Sequence, residues 1–252
     1  MIHFVGAGCG AADLITVRGK NLLEQADLII YAGSLVNPAL LDYKKAGCRV
    51  YDSAKMTLEE VLSVMFDAEA AALDTVRLHT GDPCLYGAIR EQMDELDKRG
   101  IDYDYCPGVS AFSGAAAALK MEYTLPEISQ SVVITRMAGR TPVPERESVR
   151  SFAAHGATMV LFLSAGLLNK TQAELLLGGY KEDTPAAIVY KASWPDEKTC
   201  LCTVGTLVDC ARENGISKIA LIIVGDAVKQ SGYARSKLYD PTFTTEYRAA
   251  KE

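Results

Sequence analysis

The sequence predicts an α/β protein of two domains, the first built on a mainly parallel sheet and the second on a mixed one. Three observations carry that expectation. Short apolar runs alternate with segments of helical periodicity through the first half of the chain. Several runs end in turns rich in glycine or proline, which is how an α/β sheet presents a ligand beyond its strand ends. A stretch without periodicity, Met121–Gln130, then separates this set from a second alternating one, giving expected domains 1–122 and 123–252.

The elements follow in order. Ile2–Val5 reads as a strand and Gly6–Ala11 as a glycine turn. Leu14, Ile15, Leu22 and Leu23 mark a helix to Ala26, with an interruption near Gly19. Leu28–Tyr31 is a second strand, and Asn37 and Pro38 form a cap and first helical position. Arg49–Tyr51 is a short third strand. Thr57 and Glu60 form a capping box ahead of Leu58, Val61, Leu62, Met65 and Phe66, which share one helix face. Val76–His79 makes the fourth strand. Ile89, Met93 and Leu96 mark a helix ending at Gly100, and Ile101–Cys106 is a fifth strand. The turn Pro107–Ser110 leads into an alanine-rich helix.

Beyond the aperiodic stretch, Ser131–Thr135, Thr158–Leu163 and Ala186–Tyr190 read as strands, with Leu167, Leu168 and Leu175–Leu177 on the helix before the third. Trp194–Glu197 is a turn, Thr199–Val204 a strand in a hairpin, and Ile219–Val224 the last strand. Clefts between domains favour ligands, so the expected site lies there.

The net charge of −6 excludes general attraction to nucleic acid or anionic membranes, so an anionic ligand needs a local group of basic residues. Met1 runs straight into a strand, and no apolar stretch is long enough to span a bilayer, so the expected address is the cytoplasm. Seven cysteines include no Cys-x-x-Cys pair, and three histidines stand at no zinc-like spacing from them. The expectation is reduced thiols packed as small apolar groups, and no metal site.

Two motifs invite a ligand. Thr75–Gly87 runs from strand through the polar turn Gly81–Pro83 to a helix start. Gly6-x-Gly8-x-x-Ala11 matches the dinucleotide fingerprint, but the acidic residue that fingerprint needs at the end of the second strand is missing; Asp27 stands at its beginning. A nicotinamide dehydrogenase is the alternative this turn keeps open. Arg136, Arg140, Arg146 and Arg150 lie near Glu145 and Glu147, either as a solvated charged face or as forks for carboxylates. No serine or cysteine triad is recognisable.

Taken together, several stretches resemble the tetrapyrrole methyltransferase family, which uses S-adenosylmethionine. They are Val5–Gly10 with Leu14–Thr16, Thr80–Gly87, Pro107–Ala111, Val133–Arg136 and Ala192–Pro195, in the family's order. Tyr31–Val36, Thr124–Ser129 and Arg140–Arg146 resemble the branch that methylates precorrin-4, or its cobalt form, at ring carbon C11 during cobalamin synthesis. The resemblance implies the tetrapyrrole methylase fold, a homodimer, and the methyl donor held between the domains and released as S-adenosylhomocysteine. Donor contacts would fall at Cys9, Thr80, Gly81, Asp82, Leu85, Ser110, Ala111, Leu163 and Ala192. Cys9 stands where many relatives have proline, and Leu163 where methionine is frequent. The substrate implied is a polyanion, which turns the arginine cluster into expected carboxylate contacts, Arg136 first, then Arg140 and Arg146. No dedicated nucleophile is required, because a sulfonium methyl is already electrophilic and the macrocycle carbon already nucleophilic; the sequence names no acceptor for the proton the macrocycle later loses. The alternatives are another ring carbon, including the step on uroporphyrinogen III, and a noncatalytic tetrapyrrole carrier.

Overall fold

The computed structural model describes residues 1–251, the Ser34 side chain excepted, and its chain divides into two units. The first is Met1–Ala115 with Lys191–Glu197; the second is Ala116–Tyr190 with the chain from Lys198 onward. The division falls inside a helix, and a short excursion of the later chain belongs with the first unit.

The first unit is a five-stranded parallel sheet. Its strands are β1 (Ile2–Gly6), β2 (Leu28–Tyr31), β3 (Arg49–Asp52), β4 (Thr75–His79) and β5 (Tyr103–Cys106), in the order β3-β2-β4-β1-β5. Near-continuous apolar strands suit a sheet covered on both faces. Val5, Val76 and Leu78 pack on one face with Leu23 of α1 (Val17–Gln25). Ile2 and Phe4 pack on the other with Leu62 and Met65 of α2 (Leu58–Ala70) and Met93 and Leu96 of α3 (Arg90–Asp97). The alanine-rich α4 (Ala111–Leu119) follows β5.

The capping box before α2 is present, with Thr57 Oγ1 accepting from the Glu60 amide and Glu60 Oε2 accepting from the Thr57 amide. Asn37 caps a 3₁₀ turn, Pro38–Tyr43. The expected break near Gly19 is corrected. A 3₁₀ turn at Ala12–Leu14 comes first, Thr16 caps α1 by accepting from the Gly19 amide, and Gly19 lies inside the helix. Glycine there serves packing, since a Cβ would meet Val5 Cγ1 at 3.1 Å.

The second unit has a mixed sheet of β6 (Val132–Arg136), β7 (Thr158–Phe162), β8 (Pro185–Tyr190), β9 (Lys198–Thr203) and β10 (Ala220–Val224). Its order is β6-β7-β10-β8-β9, with β6 and β7 parallel and the other neighbours antiparallel. The hairpin read from the sequence is β8–β9. Met159, Leu161, Ile188 and Ile222 form its core with Val149 of α5 (Val149–Ala153), Leu175 of α6 (Leu168–Leu177) and Leu207 of α7 (Leu207–Glu213). The sequence reading missed α5 and α7. Each has two turns or fewer, too short for a period to register.

The aperiodic stretch at 121–130 is pinned in the second unit. Thr158 Oγ1 donates to the Tyr123 carbonyl at 2.9 Å, and the Thr158 amide to Ser129 Oγ at 3.0 Å. Among the described residues no helix is long and apolar enough to cross a membrane, and no group of three or more His, Cys, Asp or Glu is placed to hold a metal. All seven cysteines are free thiols. Cys9, Cys106 and Cys200 are buried as small apolar groups, whereas Cys84 is exposed.

Candidate functional site

Parallel register brings the carboxyl ends of β1, β4 and β5 to one edge, with Gly6 beside His79 and Val5 beside Leu78 and Cys106. The chain leaves β1 toward the face carrying α1 and leaves β4 toward the face carrying α3. Neighbouring strands whose connections part in this way open a crevice, the usual ligand position in an α/β sheet.

At that crevice three turns cross almost without side chains. The turns after β4 and β5 meet over the end of β1, which lies between those strands. A Cβ on Gly6 would fall 2.5 Å from Gly108 Cα and 2.7 Å from the Gly81 carbonyl oxygen. A Cβ on Gly108 would fall 2.2 Å from that same oxygen. Gly8 and Gly81 exchange two backbone hydrogen bonds, of 3.2 and 2.9 Å. Both have left-handed φ, 82° and 61°, which glycine adopts at little cost. The turns thereby pack backbone against backbone where a side chain would otherwise stand.

Asp82 ties these turns together. Its Oδ1 accepts from the Cys84 amide at 2.9 Å and from the Tyr105 hydroxyl, and its Oδ2 accepts from the Gly108 amide at 2.9 Å. Burial works against its charge, but the hydrogen bonds from Tyr105, Cys84 and Gly108 outweigh burial and hold the carboxyl below the usual carboxylate range. Burial and the adjacent carboxylate push the Tyr105 phenol in the opposite direction, well above its ordinary value. Neither group is set up to move a proton near neutrality.

The other expected donor positions of the first unit gather around this crossing. Thr80 Oγ1 is buried and has no hydrogen-bond partner among the described residues. Leu85 is half-buried, its amide donating to the Asp82 carbonyl at 3.2 Å. Ser110 is buried and Ala111 opens α4; the Cβ position of Gly81 faces the Ala111 amide at 3.4 Å. Cys9 is buried against Gly114, where an added Cβ would meet its Sγ at 2.8 Å. Ala192 is buried too, and its excursion is fastened to the first turn by Ser193 Oγ, which accepts from the Ala11 amide at 2.9 Å. Asn37 Nδ2 donates to the Gly10 carbonyl at 2.9 Å and steadies that turn from the other side. Tyr86, Ala88, Lys191 and Ser193 all have positive φ, a strain that proteins concentrate at ligand loops. Leu163 belongs to the second unit. It follows β7 with φ 52° and 65% of its surface exposed.

Beneath the β4 turn lies a polar stack that sequence reasoning did not resolve. Arg77 is buried with no carboxylate partner among the described residues and donates to Gln92 Oε1 at 3.0 Å and to the Ile30 carbonyl at 3.2 Å; burial lowers its pKa to about 10. Gln92 Nε2 donates to the Ala88 carbonyl at 2.9 Å, linking β4 to the far end of its own loop. His79 stacks on Phe4 and is driven down to about 3, by burial and then by the charge of Arg77. It is neutral, yet its Nε2 has no partner among the described residues.

The arginine cluster separates into different roles. Arg136 donates to the carbonyls of Met137 at 3.5 Å, Thr141 at 3.3 Å and Pro142 at 2.8 Å, folding the loop after β6, and meets no carboxylate among the described residues. Arg150 is gripped by Glu174 through two bonds of 3.1 and 3.0 Å, and Arg146 reaches Glu147 at 3.4 Å. Arg140 is exposed and has no hydrogen bond or ion pair among the described residues. Lys170 joins the same loop by donating to the Ala138 carbonyl at 3.3 Å; a lone lysine on a helix gave no signal in sequence.

The dinucleotide alternative fails on geometry. The glycine turn feeds a 3₁₀ turn and α1 starts only at Val17, so the helix of the fingerprint does not begin at these glycines. Asp27 lies before β2, away from the turn edge, and is taken by Lys45 at 2.6 Å and the Asp74 amide at 3.0 Å.

Comparison with known proteins places this arrangement. The family profile "Tetrapyrrole (Corrin/Porphyrin) Methylases" matches residues 1–208. A cobalt-precorrin-4 C(11)-methyltransferase of Methanocaldococcus jannaschii is 53% identical over 98% of this chain and 95% of its own. A precorrin-4 C(11)-methyltransferase of a Sinorhizobium species is 43% identical over 100% and 99%. Among solved structures, a cobalamin biosynthetic enzyme, cobalt precorrin-4 methyltransferase, superposes with TM-score 0.88 at 47% identity, covering 90% of this chain and 95% of the other.

Proposed function

The chain belongs to the tetrapyrrole (corrin/porphyrin) methylases, and we propose that it transfers a methyl group from S-adenosylmethionine to C11 of precorrin-4 or cobalt-precorrin-4. The observation that carries the reading is the side-chain-free crossing of Gly6, Gly81 and Gly108, beside a buried Thr80 hydroxyl that lacks a partner. A buried polar atom left unpaired is costly, and a polar ligand at the strand ends would satisfy it. The relatives' identity over nearly their full length supports the acceptor and the ring carbon.

The residues fit a methyl donor. Backbone amides and carbonyls of the three turns, the Thr80 hydroxyl and the apolar Leu85, Ala111 and Ala192 would hold it, and Leu163 is a further proposed contact. When bound, the donor supplies a sulfonium methyl that is already electrophilic. The protein's part is to align that methyl with the ring carbon and exclude water, and such positioning contributes roughly 7–11 kcal/mol of barrier reduction. Asp82 takes no proton, because its carboxylate is spent on Cys84, Tyr105 and Gly108. Arg136, Arg140 and Arg146 would meet the substrate's carboxylates. Cobalt, where present, arrives inside the macrocycle as part of the substrate.

The reading includes a homodimer acting in the cytoplasm, which light scattering and fractionation test. Thermal shift tests the donor. S-adenosylhomocysteine at 100 times its Kd should stabilise by about 2.7 kcal/mol, raising Tm by roughly 5–11 °C for a chain of this size. NADH should give no shift. Stabilisation by NADH alone would overturn the proposal.

A further inference from the structure

We propose that Tyr105 is a positioning residue for the methyl donor, acting through Asp82 to set the spacing of the turns after β4 and β5; this rests on the donor reading above. The two turns belong to strands that are not neighbours, since β1 lies between them. At their crossing stand only glycines, so no side chain wedges Gly81 and Gly108 at a fixed distance. Hydrogen bonds must do so instead.

Those bonds converge on one carboxylate. Asp82 reaches from the β4 turn to the Gly108 amide at 2.9 Å, and the Tyr105 hydroxyl, from within strand β5, donates to its other oxygen. The same phenol oxygen accepts from the Cys84 amide at 3.0 Å, so Tyr105 holds both the carboxylate and the chain that carries it. Loss of the hydroxyl leaves Asp82 held by the two amide donors alone, with no bond to β5, and removes the phenol acceptor of the Cys84 amide. The Gly81 backbone and the neighbouring Ser110 and Ala111 then lose the alignment a donor would require. A site is as exact as the groups that lock its first contacts in place. The Asp-Pro of the turn marks Asp82 in sequence, whereas Tyr105 lies on an ordinary alternating strand and nothing in its spacing singles it out.

The test is Tyr105→Phe, which keeps the ring and removes the donor hydrogen. S-adenosylhomocysteine Kd by calorimetry and the KM for S-adenosylmethionine should both rise about tenfold, the scale of one hydrogen bond to a charged group. The KM for the tetrapyrrole should stay within twofold. Asp82→Asn, whose Nδ2 cannot accept from an amide, should give the same split, and adding Tyr105→Phe to it should cost little more. Unchanged donor constants in Tyr105→Phe, whatever its Tm, or equal rises in both KM values, would overturn the assignment while leaving the donor reading intact. A wild-type protein that binds no S-adenosylhomocysteine would overturn both.

Discussion

Replacing Gly108 with alanine places a methyl group 2.2 Å from the Gly81 carbonyl oxygen and 2.7 Å from Gly6 Cα, both of them backbone atoms. Comfortable contact for a carbon begins near 3.5 Å, so the turns must part by about 1.3 Å. Neither neighbour is the free end of a side chain, and the Gly81 oxygen also accepts from the Gly8 amide, so the strain spreads to the first turn. Overpacking of this kind costs about 1–3 kcal/mol, a Tm fall of roughly 2–12 °C for a chain of this length. The functional loss should be larger, because misplacement by about 1 Å lowers a rate on the order of 100-fold. The assay is methyl transfer from labelled donor, with S-adenosylhomocysteine affinity by calorimetry and Tm by calorimetric scan. Gly166→Ala is the control. Its nearest neighbour would be 3.6 Å away and its φ is not left-handed, so it should behave as wild type. If Gly108→Ala retained donor affinity and rate within twofold, the glycine crossing would not be the donor site.

Three further outcomes follow from single side chains. Thr80→Val should leave the ligand-free protein as stable as wild type or slightly more so, since it removes an unpartnered buried hydroxyl. It should weaken S-adenosylhomocysteine binding about 2- to 12-fold, and equal affinity would exclude Thr80 as a contact. Arg140→Ala and Arg136→Ala should each raise the tetrapyrrole KM about tenfold, less so at high salt, without touching donor affinity; KM values insensitive to both would move the carboxylate site elsewhere. His79 makes the fold acid-sensitive. Its folded pKa of about 3 lies below the ordinary 6.5, so the unfolded chain binds the proton first and stability falls as pH drops from about 6.5 toward 3. Between pH 8 and pH 5 its share of the loss is about 2 kcal/mol, visible in urea denaturation as a gap that shrinks in His79→Gln. An undiminished gap would show that His79 is not the sensor.

The first sheet was legible because parallel strands buried on both faces are near-continuous apolar runs, as in Leu28–Tyr31. The hairpin of β8 and β9 was legible from two apolar runs flanking a turn with Trp194 and Pro195. Helices α5 and α7 were not, since their periods are too short to count. The attachment of Lys191–Glu197 to the first unit rests on Ser193 and on Gly10, whose Cβ would strike the Ala192 carbonyl at 2.4 Å; no local pattern encodes a contact so distant in sequence. The expected donor residues could be named through family resemblance, but their division of labour could not. Asp82 read as a ligand contact, and three-dimensional hydrogen bonding makes it a clamp. The arginines read as one group, and Glu174, distant in sequence, removes Arg150 from it.

The central claim is the reaction itself. Purified protein incubated with precorrin-4, or with its cobalt form, and S-adenosylmethionine carrying a ¹³C methyl should yield S-adenosylhomocysteine and one new labelled methyl. NMR of the product should place that methyl on C11. A labelled methyl on a different ring carbon, or no transfer to either form by protein that binds S-adenosylhomocysteine, would contradict the account.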